Sequence, residues 1–308
     1  MVSKSELKSI AEAYRKVPKD EVLNHFQFES SLMFNPKNIK LTDNGWAYYQ
    51  EGASIYKGVT NINNPEQDPN KFIESLSSYY EIERVYSEEN QLGELLNGLP
   101  KKKMGMLMFL YDNNGLLLSK VGKDYHRFRT SSKYLEDPDF RVEEFDNNNP
   151  LTYEALSAIM SLNDSWKAKK KEDNDPASYD VNRCIKNLFE IGSLTEYYVT
   201  LIWYKEELLH FHSSERLHNN FAILLDSKVN FGVDKELNTQ FRYCNFLQHW
   251  LHIKKWHIEG EKVYYHSGMT SMSSYKVQLR PAIISKYYLT LVADMPFISR
   301  PSKSNSLF

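Results

Sequence analysis

Apolar residues recur at helical spacing from the start of the chain. Leu7, Ile10, Ala11 and Tyr14 stand three or four apart behind Ser3 and Glu6, a Ser-x-x-Glu capping box, and Pro18 ends the run. The pattern predicts a first helix with one buried face. From Val22 to Thr60 it shortens to strand-like runs, Asn24–Phe28 and Ile55–Val59, separated by turn residues. A Pro- and Asn-rich loop, Asn61–Asn70, leads into helical sequence from Phe72 to about Leu96. Two nearly continuous apolar runs then flank Asp112-Asn113-Asn114-Gly115, whose residues suit a tight turn. A strand apolar along its whole length is covered on both faces, so the hairpin at 104–122 is predicted to be central.

The second half opens near Leu151 with a helix carrying Ala155, Leu156, Ile159 and Met160, and Lys167–Ser178 is polar enough for a loop. Residues 180–212 predict a helix, capped by Asp180 and ended by Gly192, followed by two strands joined at Lys205-Glu206-Glu207. Phe221–Lys228 fits a strand or a helix. Lys235–Trp256 predicts one helix whose buried stripe is Leu237, Phe241, Cys244, Leu247 and Leu251. Together these elements predict an α+β protein of mixed helices and mainly antiparallel sheet. The polar run Asp146–Pro150 marks a boundary between an N-terminal α/β domain, 1–148, and a His-rich C-terminal one, 149–308; a single domain is the alternative.

Composition narrows the class. Of 308 residues 41% are hydrophobic and 25% charged, as in a folded protein. The two cysteines, Cys184 and Cys244, are too few for a disulfide framework or a Cys-based zinc site. With no apolar stretch long enough to span a bilayer and no leader-like N-terminus, the expectation is a soluble cytoplasmic protein without membrane partners. The aromatic content, 21 Tyr, 16 Phe and 5 Trp, suits a Tyr-rich sheet or a surface that binds another protein. Net charge is −2, yet residues 101–133 hold eight bases against two acids. Lys101, Lys102, Lys103, Arg127 and Arg129 lie there, interleaved with Tyr125 and Phe128, a pattern that suits phosphate contact and base stacking.

Seven of nine histidines fall between His210 and His266. The helix and hairpin at 180–212 resemble a winged helix, which implies that Arg183 and Lys186, beside Asn182 and Asn187, face a DNA groove. On a strand, His210 and His212 point to one face and could hold a divalent metal ion, with His218 or Glu215 as a further ligand. This His–hydrophobic–His element resembles that of the HUH endonucleases, and the resemblance implies Tyr243 as nucleophile. Arg242 and His249, seven apart, are similar to the signature of HEPN-type ribonucleases, which implies phosphate neutralisation by the Arg and proton transfer by the His. Asp226-Ser227-Lys228 at the end of an apolar run resembles part of a PD-(D/E)xK nuclease core, with Asp226 on metal and Lys228 on the attacking water. The bland alternatives stand beside each: solvated helix faces, strand histidines, a generic helix and hairpin. The expectation is a protein associated with DNA or RNA, as a metal-dependent nuclease or other phosphodiesterase, and the alternative is a non-catalytic protein-binding module. No feature sets an oligomeric state.

Overall fold

Lys101–Asp112 forms the central strand of an eleven-stranded sheet. The computed structural model describes residues 3–16, 39–51, 54–67, 81–87, 101–112, 125–172, 182–218, 221–258, 264–266 and 283–291. In chain order the elements are α1 (Lys4–Lys16), β1 (Ile39–Leu41), β2 (Trp46–Glu51), β3 (Ser54–Asn61), β4 (Glu81–Ser87), β5 (Lys101–Asp112), α2 (His126–Ser132), β6 (Phe140–Asp146), α3 (Tyr153–Glu172) and α4 (Arg183–Ile191). They continue with β7 (Glu196–Tyr204), β8 (Glu207–His218), β9 (Phe221–Val229), α5 (Lys235–Gln240), α6 (Cys244–Trp256), β10 (Tyr264–His266) and β11 (Ile283–Leu291). The strand order is β1-β2-β3-β4-β11-β5-β10-β9-β8-β7-β6. Within the described residues β3–β4 and β9–β10 are parallel and the other pairs antiparallel. The fold is α+β, as expected.

The capping box forms at α1: Ser3 N–H donates to Glu6 Oε2 at 2.7 Å and Glu6 N–H to Ser3 Oγ at 3.2 Å. Helices α3 and α4 cover one face of β7–β9. Ala155, Leu156, Ile159 and Leu162 of α3 and Ile185 and Leu188 of α4 close a core over Val199, Leu201, Phe211, Ile223 and Leu225. Helices α2 and α6 cover the other face, where Phe128, Phe246, Ile253 and Trp256 pack on Tyr198, Ala222 and Tyr265. Among the described residues no helix is long and apolar enough to cross a membrane.

Several local expectations change. The strand at 104–122 starts earlier, at Lys101, and its partners are β11 and β10; Gly115 and the second arm lie outside the described residues, as do Asn24–Phe28 and Asp180. Strand β4 occupies part of the segment expected as helix, because Glu81–Ser87 gains ladder bonds to β11. Helix α3 runs to Glu172, into the expected loop. Phe221–Lys228 is strand: it pairs along its length with β8 and at Phe221–Ile223 with β10, and its apolar residues face both cores, Ile223 and Leu225 toward α3 and α4, Ala222 and Leu224 toward α6. The helix expected over Lys235–Trp256 breaks at Phe241–Tyr243, although Phe241, Cys244 and Leu247 stay in one core cluster. The β7–β8 hairpin is no wing, since β6 and β9 flank it inside the sheet.

Candidate functional site

The parallel pair β9–β10 defines a notch. Phe221–Ile223 lie against Tyr264–His266, and beyond them, among the described residues, Leu224–Val229 of β9 are bonded on the β8 side alone. The chain leaves the open end of β9, passes through α5 and returns as α6. Cys244 and Leu247 of α6 pack with Ile202 and Leu209, while Trp256 packs with Tyr198, so α6 runs opposite to β9 and starts at the end toward which the notch opens. Tyr243 stands at the N-cap without a side-chain hydrogen bond to the helix, and the first turn carries no acid. The Arg242 and Arg127 guanidiniums lie 4.8 and 5.9 Å from the Tyr243 ring centroid. The helix dipole and two cations make this end electropositive.

Between α6 and the sheet lies a buried polar cluster. Thr200, His212, Ser214, Gln248, His249, His252 and Tyr265 are all buried. His212 Nε2 meets the Tyr265 hydroxyl at 2.6 Å, so Tyr265 of β10 reaches past β9 to β8 at the root of the notch. The His212 ring lies 4.7 Å from His249 and 4.2 Å from His252, centroid to centroid. Tyr198 donates to Glu144 Oε2 at 2.7 Å; burial first, then this carboxylate, push its hydroxyl well up. Burial likewise holds the His210 ring down at about 4, against 6.5 for an ordinary imidazole.

That shift predicts an acid-side loss of stability. Between pH 6.5 and about 4 the unfolded chain protonates His210 while the folded chain does not. The unfolded state then binds more protons, so stability is full above the unfolded value and falls as pH drops through this window, by up to about 3 kcal/mol. His210→Leu should flatten part of the decline in urea midpoint across the window. An unaltered decline would remove His210 as its source.

On the opposite face, under α3 and α4, Asp226 and Lys228 of β9 form an ion pair. The Lys228 ammonium also lies 4.7 Å from the Trp166 ring centroid. Glu215 is buried, and the half-buried Cys184 thiol is pushed well up by burial and then by the Asp226 and Glu215 carboxylates. Ser213 stands opposite Asp226 and Phe211 opposite Lys228 in the β8–β9 register, which fixes these side chains on the α3–α4 face. The pair therefore flanks the stretch of β9 that borders the notch.

The structure redistributes the residues singled out from the sequence. Arg242 is exposed in the break before α6, whereas His249 faces the sheet, so the Arg and His of the ribonuclease-like pair are separated. His210 and His212 do share a face, but His210 Nδ1 sits 3.1 Å from Phe211 O and His212 is engaged with Tyr265. His218 ends β8, and Glu215 faces the other side of the sheet. Among the described residues no group of His, Cys, Asp or Glu can hold a metal ion, which corrects the metal expectation for His210, His212 and His218. Tyr243 sits at a helix cap between two guanidiniums. Lys101, Lys102 and Lys103 belong to β5 and pair with β11, Arg127 and Arg129 sit on α2, and Arg183 and Lys186 on α4, across the sheet from α2. Sequence reasoning passed over Thr200, Ser214, His252, Trp256 and Tyr265; the signal lay in His249, His252 and Trp256, spaced at three and four on α6.

No protein-family model and no curated protein matches the sequence. Solved structures share its fold. One is a conserved protein of unknown function from Bacteroides thetaiotaomicron, with TM-score 0.65, 11% identity, and 94% of this chain and 97% of that chain covered. Another is the C-terminal domain of a putative lysylphosphatidylglycerol synthetase from Agrobacterium fabrum, with TM-score 0.58, 12% identity and coverage of 94% and 93%. A third is FemX, with TM-score 0.55, 9% identity and coverage of 94% and 96%. At 9–12% identity the likeness is one of fold. That shared fold, with no group able to hold a metal ion among the described residues, overturns the nuclease and nucleic-acid expectation.

Proposed function

We propose that this chain transfers an acyl group from an activated, phosphate-bearing donor to a nucleophilic acceptor. The observation that carries the proposal is the notch where β9 parts from β10 beneath the start of α6. An extended donor lies along the free edge of β9 as an added strand, using backbone N–H and C=O groups. Its phosphate meets the N-terminus of α6 beside Arg242. The acceptor N–H or O–H attacks the donor carbonyl, its proton passes to Asp226, and Lys228 steadies the oxyanion before the leaving group departs. The fold shared with a lysylphosphatidylglycerol synthetase domain favours an aminoacyl group and a lipid hydroxyl as first choices. The site falls in the 149–308 half, and the free thiols of Cys184 and Cys244 suit a reducing cytoplasm.

Purified protein should be incubated with acyl-labelled thioester and aminoacyl ester donors, and with amine acceptors or phosphatidylglycerol vesicles. Label should move to one acceptor class. Arg242→Glu should raise the donor KM on the order of tenfold with kcat nearly unchanged, because it removes attraction felt equally by ground and transition states. No transfer from any donor in either class would overturn the proposal.

A further inference from the structure

Between α6 and the sheet runs a chain of hydrogen bonds that the transfer chemistry does not use. Trp256 Nε1 meets Ser214 Oγ at 2.8 Å, Ser214 Oγ meets His252 Nδ1 at 2.6 Å, and His252 Nε2 meets Thr200 Oγ1 at 3.1 Å. The four residues are buried. Donor chemistry orders the protons. An indole N–H can only donate, so Ser214 accepts from Trp256. The Ser214 oxygen could accept a second bond, but its own hydrogen would then lack an acceptor among the described residues; donated to His252 Nδ1, it puts a lone pair there and the ring proton on Nε2, pointing at Thr200. The two lengths agree with this order, the hydroxyl donor making the shorter bond and the ring N–H the longer.

We propose that His252 is a positioning residue for the site described above: held as the neutral Nε2–H tautomer, it fastens α6 to β7 and β8 and so sets where the α6 N-terminus stands against the open end of β9. The inference rests on the acyl-transfer proposal. A protonated ring would carry hydrogens on both nitrogens and take from the Ser214 hydrogen its acceptor at Nδ1. The surroundings keep that state out. His249 and Lys255 flank the ring on its own helix, and His212 of β8 and Tyr198 of β7 lie at ring-centroid distances of 4.2 and 4.5 Å. The acids that touch these flanking residues are engaged by them, Glu144 by Tyr198 and Asp146 by Lys255. Burial first, then the His249 and Lys255 charges, hold the ring well below its ordinary value.

The test uses the full chain labelled with 15N-histidine. Long-range proton–nitrogen correlation should show His252 as Nε2–H at neutral pH and unchanged at about pH 5, where a free imidazole is charged. Ser214→Ala should redistribute the tautomer. An Nδ1–H or cationic ring in the wild type would overturn the relay. In the transfer assay Thr200→Val should raise the donor KM on the order of tenfold and leave kcat within about twofold, with Thr200→Ser restoring the wild-type value. Equal KM in the valine variant and the wild type overturns the positioning role. A wild type that transfers nothing overturns the acyl-transfer reading and the positioning role with it, while the nitrogen spectrum still decides the proton order.

Discussion

Lys228→Met is expected to lower the free energy of unfolding by about 3–5 kcal/mol, a large effect for one side chain. Lys228 and Asp226 sit under α3 and α4 with side-chain exposures of 8% and 12%, so water hydrates neither charge well. Removing the ammonium leaves the Asp226 carboxylate desolvated, near the carboxylate of Glu215, which is 1% exposed. The double variant Asp226→Asn with Lys228→Met removes both charges and should recover most of the loss, because a buried pair offers little net stability over neutral groups of similar size. Urea unfolding of the wild type, both single variants and the double variant checks this. A loss below about 1 kcal/mol in Lys228→Met would mean that the pair behaves as a solvated one. The double variant also separates stability from chemistry: folded and inactive, it supports the roles given to Asp226 and Lys228, whereas full transfer activity would remove them.

Phe211→Ala should cost about 3–5 kcal/mol, the usual range for truncating a large buried aromatic. Phe211 is 0% exposed and stands on the middle strand of β7–β8–β9, packed among Ile159, Leu162, Val199 and Leu201. The cavity would open under both α3 and α4, where the middle of α3 is tied to the start of α4 by Asn163 Nδ2 donating to Asn182 Oδ1 at 2.9 Å. That tie limits how far the helices can close on the space, so the cost should lie high in the range. Phe211→Leu should cost far less. Equal unfolding midpoints for the alanine variant and the wild type would contradict the core as described.

The candidate site was legible in pieces. The strand character of 207–218 placed His210 and His212 on one face, and the apolar stripe of α6 was correct even though the helix breaks at Phe241–Tyr243. Each motif was judged against its own sequence neighbours, and that grouping was the error. His249 belongs with His212, 4.7 Å away, and Arg242 belongs with Tyr243 and Arg127. Asp226 and Lys228 stand out in the sequence as a pair and do form one, yet among the described residues no metal-holding cluster accompanies them.

Local physics settles the parts of this protein that depend on near neighbours. The capping box of Ser3 and Glu6, the helix beginning near Leu151 and the turn at Lys205-Glu206, where Lys205 takes a φ of 53°, follow from residues a few positions apart. Tertiary structure decided the rest. Strand or helix for Phe221–Lys228 is undecidable from its own pattern, and β8 resolves it by offering backbone partners along the segment, with β10 adding partners at Phe221–Ile223. The place of β11 between β4 and β5 joins residues nearly two hundred positions apart. The notch exists because β10 stays with β9 for three paired residues, Phe221–Ile223, among those described, and the polar network exists because α6 lands on β7 and β8. Hydrogen-bond partners and buried neighbours contributed by distant strands carry no periodic trace in the segments they stabilise, so those features emerge only when the sheet closes.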